Sequence, residues 1–285
     1  MTDSPVMLTA AAPAVAPTGP PITTVLVTRG VTPYLRETLA AVAHQTRVPA
    51  LVVVVDAALR HESDLPDDDV ARLTHSTLAP LGTDVRVVAD PGARTFGHAI
   101  SGALAQLARP DSGPSDDARP TGPARAGWLW LLHDDCAPEP AALDELIRAV
   151  EHSPSVALAG VKQRSWTDPA LLLELGVTTS RLGRRMTGIE EGEVDQGQHD
   201  GRDDVLAVGL AGALVRRDVW DALGGTDPRL GPFGDGLDLS RRARLAGHRV
   251  VVVPAAAVRH AQASYNGLRD DDGLHGGADA TDLDR

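Results

Sequence analysis

Short apolar runs rich in β-branched residues alternate with amphipathic stretches along most of the chain, the pattern of a layered α/β protein. Ile22 to Thr28 is the first such run and predicts a strand. Thr32 and Pro33 have the chemistry of an N-cap and a first helical residue, and Leu35, Thr38, Leu39 and Val42 mark one face of the helix that follows. Leu51 to Val55 is wholly apolar and closes on Asp56, which predicts a strand buried on both faces that delivers an acid to the sheet's rim. Strand, helix, strand opens a right-handed parallel unit. Asp84 to Ala89 supplies a third strand. A turn bearing Gly92 then leads into a helix that contains Gly97 and Gly102, where backbone approaches a ligand or a neighbouring element.

The most informative stretch is WLWLLHDDCAPEP, Trp128 to Pro140, in which an uninterrupted apolar run stops at His133-Asp134-Asp135. The run predicts a central strand of a mostly parallel sheet, with its acids at the carboxyl end, where open α/β sheets bind ligands. Pro138 and Pro140 are expected to start a helix whose apolar face is Leu143, Leu146, Ile147 and Val150. Val156 to Val161 is a further strand, and the polar, acidic stretch Thr187 to Asp204 reads as a loop bordering the site. Val205 to Val215 is apolar and glycine-bearing. Arg216 to Leu223 predicts a short helix ending at Gly224-Gly225. After the turn GPFGDG comes a helix carrying Leu237, Leu239 and Leu245, then the strand Val250 to Val253, with His260 just beyond it.

Three segments fall outside this pattern. Residues 1–21 are proline-interrupted and lack a basic start, so they read as a disordered tail rather than a signal peptide. Residues 109–127, rich in Pro, Gly, Ser and Asp, read as a flexible insertion, and residues 266–285 as a disordered acidic tail. The expected unit is therefore one domain, residues 22–265.

With 285 residues and 42% apolar side chains, the chain has enough material for a substantial core. A net charge of -12 argues against nucleic acid as a partner. Cys136 is the only cysteine, so neither an internal disulfide nor a multi-cysteine zinc site is available. No apolar run reaches the roughly 18–20 residues of a membrane span. No GxxxxGK[ST] or GxGxxG phosphate loop occurs.

The ordered blocks YLRETLAAVAHQT, VVVVDAA, GARTFGHAISGAL, LLHDDCAPEP and GALVRRDVWDALGGTDPRLGPFGDGLDLSRRARLAGHRVVVVPAAAVRH resemble the inverting glycosyltransferases of family 2, in their actinobacterial-type, cell-envelope-related form. The resemblance implies a GT-A (Rossmann-like) single domain, with a central, mostly parallel sheet flanked by helices. It also implies transfer of a sugar from a nucleoside-diphosphate sugar to a glycan or lipid-linked acceptor, in the cytoplasm or at the inner face of the cell membrane. By the same resemblance Thr28, Asp56, Arg94, His98 and Asp134 contact the nucleotide sugar, while His133, Asp135 and His260 hold Mn or Mg. An ion held by carboxylate and imidazole would neutralise the charge of a departing diphosphate.

Two departures from the family pattern matter. The first acid of its metal triplet is His133 here, so Asp135 is joined by either Asp134 or His133. Its usual base position is Gly236, which leaves Asp235, with Asp238 as fallback, to deprotonate the acceptor. On this reading Gly236 lets the backbone bend and carries Asp235 toward the acceptor. Arg181, Arg184 and Arg185 read as a solvated basic face, and Trp166 as a residue that could stack on an acceptor sugar. Two other functions are weighed: a sugar nucleotidyltransferase, disfavoured because LVTRGVTPYLRE offers only Arg29 and Gly30 as a basic glycine loop, and a sugar-nucleotide-binding module without catalysis.

Overall fold

The structure is a computed structural model that describes residues 20–58, 68–108, 127–230 and 234–268. The expected tails and the 109–127 insertion lie almost wholly outside the described residues. The first half of the chain runs β1 (Ile22–Thr28), α1 (Leu35–Ala43), β2 (Leu51–Asp56), α2 (Asp68–Leu78), β3 (Asp84–Ala89), α3 (Phe96–Leu107), β4 (Trp128–His133), β5 (Cys136–Pro138) and α4 (Ala142–Val150). The second half runs β6 (Val156–Ser165), β7 (Leu172–Glu174), β8 (Thr178–Thr179), β9 (Arg185–Met186), β10 (Leu214–Arg216), α5 (Arg217–Leu223), α6 (Asp235–Leu245) and β11 (Arg249–His260).

A nine-stranded sheet has the order β3-β2-β1-β4-β10-β6-β11-β5, with β7 added beside β6. The β3-β2-β1-β4 block is parallel, as is β6 with β11, whereas β10 joins the two blocks antiparallel to both neighbours. The apolar runs of β2 and β4 are continuous because both sheet faces are covered. On one face Val52, Val54, Trp130 and Leu132 pack with Leu35 and Leu39 of α1 and Leu146 of α4. Alternate residues Val53, Val55, Leu129 and Leu131 face the other way, onto Ile100 of α3, Trp220 of α5 and Leu239 of α6.

Several elements differ from expectation. Pro138 does not start a helix: Cys136–Pro138 pairs antiparallel with Val258–His260, and α4 begins only at Ala142. The helix after Thr32 begins at Leu35 with Tyr34 at its N-cap, so Pro33 is not its first residue, although the Thr32 hydroxyl accepts the Leu35 N–H at 3.2 Å. The last strand does not stop at Val253. Pro254, which has no N–H to give, sits in a register shift between Val253 and Ala257, and pairing with β6 resumes to His260. His260 is thus the strand's final residue. Of the apolar run 205–215 only Leu214 and Val215 become strand, and Leu245 is exposed rather than core. Helix α2 had no counterpart in the sequence reading: its buried Val70, Leu73 and Leu78 are hidden among charged and polar neighbours.

Candidate active site

The carboxyl ends of β1, β2 and β4 bring Thr28, Asp56 and Asp134 together. Gly30, at φ 73°, turns the chain so that its N–H donates to Asp56 Oδ1 at 2.8 Å, and Ala58 N–H donates to the same oxygen at 3.1 Å. Thr28 Oγ1 donates to Gly30 O at 2.7 Å and lies 3.2 Å from Asp134 Oδ2. The Asp134 main chain is held on both sides, its N–H by Val27 O at 3.1 Å and its carbonyl by the Thr38 hydroxyl at 2.6 Å. Asp56 and Asp134 are therefore buried acids that set the shape of the loop after β1.

Next to them stands a group of possible metal donors. One ligand atom each from His133, Asp135 and His260 lies within 4.8 Å of the others. Asp135 Oδ1 is 3.5 Å from His260 Nε2 and 3.9 Å from His133 Nδ1, while Asp135 Oδ2 accepts the Ala263 N–H at 2.8 Å. Of the two residues that could join Asp135, His133 lies beside it, whereas Asp134 Oδ2 lies toward Thr28. The His133 ring is packed edge-on against Phe96, with centroids 4.1 Å apart, so the start of α3 flanks the cluster. Arg94 and His98 lie at that start, both exposed, with the Arg94 N–H toward His98 Nδ1 at 3.4 Å and the His98 N–H capped by Thr95.

Behind the cluster is a residue that sequence reasoning missed. Gln163 Oε1 is 2.8 Å from His260 Nδ1, and Gln163 Nε2 donates to Ala211 O at 3.3 Å. With the amide nitrogen on Ala211, Gln163 Oε1 is placed to accept from His260 Nδ1–H, the arrangement that keeps Nε2 for a ligand on the Asp135 side. Across the strand pairing from Gln163 lies Glu174, also buried, which accepts the Gly209 N–H at 2.7 Å and pairs with Arg185. Arg185 is therefore not part of a solvated face.

Asp235 is the first residue of α6 rather than part of the preceding turn, and it is buried. Burial pushes its carboxyl up to about 7, against the pull of the Gly236 N–H and Arg185, with Glu174 adding to the rise. Asp238 sits elsewhere. It pairs at 2.7 Å with Arg242, which also donates to Leu223 O and Gly225 O, so this acid fastens α6 to the end of α5.

Gly236 does not act as a hinge. A Cβ there would lie 2.4 Å from the Val208 carbonyl oxygen and 3.3 Å from Gly209 Cα, so the glycine exists for close packing on that loop. The family's usual acid has no room at this position. Gly236→Ala should therefore lower stability by about 1–3 kcal/mol, read as a reduced midpoint in urea unfolding. An unchanged midpoint would mean that the loop yields freely.

The chain matches the glycosyltransferase-like family 2 over residues 20–272. Among solved structures it resembles S. aureus TarS, with 13% identity, a TM-score of 0.53, and 84% of this chain aligned to 36% of that one. It also resembles TarS 1–349 in complex with UDP-GlcNAc, at 12% identity and a TM-score of 0.55, covering 90% of this chain and 61% of the other. A third resemblance is to the mannosyltransferase PcManGT of Pyrobaculum calidifontis in complex with GDP-Man and Mn2+, at 19% identity and a TM-score of 0.52, covering 92% and 61%. The chain thus spans less than two thirds of each of these proteins. No curated protein sequence matches it. The family match over nearly the whole chain, on a mixed sheet flanked by helices with its acids at the strand ends, identifies the chain as a member of the family 2-like glycosyltransferases, with the GT-A fold.

Proposed function

We propose that this glycosyltransferase moves a sugar from a nucleoside diphosphate to an acceptor hydroxyl by single displacement, with inversion at the anomeric carbon. The observation that carries the reading is the His133, Asp135 and His260 cluster at the strand ends, backed through Gln163 and Glu174 by a buried acid, Asp235, whose carboxyl burial pushes up to about 7. Complexes of the similar structures with UDP-GlcNAc and GDP-Man support a nucleotide-sugar donor.

The donor set of one carboxylate and two imidazoles suits Mn2+ or Mg2+. A bound ion of that kind supplies positive charge to the diphosphate as it leaves. Thr28, Asp56 and Asp134 shape the loop that receives the nucleotide, and Arg94 and His98 offer donors to it from the start of α3. Asp235 takes the proton from the acceptor hydroxyl as the oxygen attacks the anomeric carbon, and the sugar–phosphate bond breaks on the opposite face.

The acceptor proposed is a glycan or lipid-linked hydroxyl of the cell envelope, reached from the cytoplasmic side, which follows the sequence resemblance. No helix among the described residues is long and apolar enough to cross a membrane. The test of inversion is the anomeric configuration of the product by NMR: an α-linked donor must give a β-linked product, and retention would sink the displacement. The second reading, a sugar-nucleotide-binding module without catalysis, draws on the glycine at the usual base position. Donor binding without any transfer or hydrolysis would favour it.

The role of Gln163 gives a separate prediction. Gln163→Leu leaves His260 without its acceptor and should weaken Mn2+ binding in the presence of UDP by roughly 10–100-fold. Gln163→Glu, which keeps an oxygen there, should lose much less. Electron paramagnetic resonance of free Mn2+ reads both, and equal affinities in all three proteins would remove Gln163 from the account.

A further inference from the structure

Strands β8 and β9 form a separate two-stranded hairpin outside the main sheet, with the sequence TTSRLGRRM from Thr178 to Met186. Its turn is stiff. Ser180 N–H donates to Arg184 O at 2.8 Å, Gly183 N–H to Ser180 O at 3.0 Å, and the Ser180 hydroxyl accepts the N–H groups of Leu182 and Arg184 at 3.3 and 3.2 Å. Gly183, at φ 81°, provides the left-handed position that the turn requires. What this built turn holds outward is a leucine at 97% exposure between exposed Arg181 and exposed Arg184, with Met186 at 46% behind them.

We propose that this hairpin tip docks on a bilayer containing anionic phospholipid. An apolar apex between guanidinium groups matches an interface in which acyl chains lie beneath phosphates. Positive charge at the tip is local, because the chain as a whole carries -12. An anionic surface therefore repels most of the molecule and attracts this corner, which orients the approach. Exposed Glu190 and Glu191, a few residues further on, oppose deep burial and limit contact to the apex. An acidic protein segment would also pair with the arginines, but it gives Leu182 no apolar phase to enter, and that favours the bilayer.

The base of the hairpin faces the chemistry. Arg185 pairs with Glu174, and both act on the Asp235 carboxyl. A docked tip would turn this side of the site toward the membrane. If the proposed transfer is right, that is the side from which a lipid-linked acceptor arrives. Docking itself does not depend on that reading, because it needs no donor, ion or turnover.

The test is co-sedimentation of the 285-residue chain with vesicles of phosphatidylglycerol and phosphatidylcholine, and with vesicles of phosphatidylcholine alone, at low and high salt. Binding is expected only to the anionic vesicles and is expected to fall as salt screens the arginines. Arg181→Gln should weaken it by about fivefold, and Leu182→Ser by about tenfold, with unchanged melting because these two side chains are exposed. Arg185 is left intact so that the site is undisturbed. Absence of binding, equal binding to both vesicle types, or binding unchanged by the substitutions would overturn the proposal. So would retention by a soluble poly-glutamate through the same arginines with no vesicle binding, since it assigns the tip to an acidic protein.

Discussion

Asp235→Asn is expected to keep sugar-nucleotide affinity and to lower the transfer rate by roughly two to four orders of magnitude, the usual effect of removing a positioned base from an alcohol nucleophile. The near-isosteric amide retains an oxygen for the Gly236 N–H, 2.7 Å from Asp235 Oδ1, so the start of α6 should be unchanged. In the unmodified enzyme the rate should climb about tenfold per pH unit below 7 and level off above it, because the carboxyl must be ionised to accept a proton and burial holds it at about 7. Stability runs the other way. The folded carboxyl is raised above its unfolded value of about 3.9, so the folded state binds more protons between those values. Its contribution is fully present at low pH and is lost as pH rises from about 4 to about 7. Asp235→Asn should remove both slopes and melt no lower than the unmodified protein at pH 8. Asp238→Asn should be milder in transfer and should loosen the contact between α5 and α6 through Arg242. The reverse order of effects on transfer would move the base to Asp238.

The second large effect is expected at Asp135. Its Oδ1 faces both imidazoles of the cluster, so Asp135→Ala should abolish the tightening of sugar-nucleotide binding by Mn2+. The acid is not an open rim group, since it is 1% exposed and its Oδ2 takes the Ala263 N–H. Alanine also removes that anchor, at a cost of about 1–3 kcal/mol. Asp135→Asn keeps an acceptor in place and separates the two effects: metal dependence should still collapse while the fold is preserved. Calorimetry of UDP binding with and without Mn2+ reads the first, and thermal melting the second. A folded Asp135→Asn protein with unchanged Mn2+ dependence would exclude the assignment.

Much of the site was legible because strand ends punctuate apolar runs. Asp56 and His133-Asp134-Asp135 each follow a run of Val, Leu or Trp, and a buried strand that stops at a polar residue has reached the rim. The two-sided core was legible for the same reason. Position in the sequence left open whether Asp134 or His133 stands beside Asp135, since the way Asp134 turns depends on its backbone bonds to Val27 and Thr38. The sequence reading puts Asp235 ahead of Asp238 as the base, and Arg242, four residues after Asp238, stands at the spacing that makes ion pairs on helices and does pair with that acid.

Gln163 and Glu174 were out of reach because each is a polar residue beside or within an apolar run, and Arg185 because it stands among other arginines, with partners 97, 35 and 11 residues away in the chain. Only the pairing of β6 with β7 and β11 brings them to the back of the site. Pro254 misplaced the end of the last strand, since proline is a fair stop signal unless a register shift absorbs it. The glycine at position 236 was read through its torsional freedom, whereas close contact with Val208 is what demands it.

The most direct measurement of the central claim is a titration of the purified chain with a panel of UDP- and GDP-sugars, with and without Mn2+, followed by assay for released nucleoside diphosphate. The account predicts that at least one donor binds, that Mn2+ tightens its binding, and that diphosphate release requires both the ion and Asp235. Failure of every donor to bind, or binding and release indifferent to Mn2+, would contradict it.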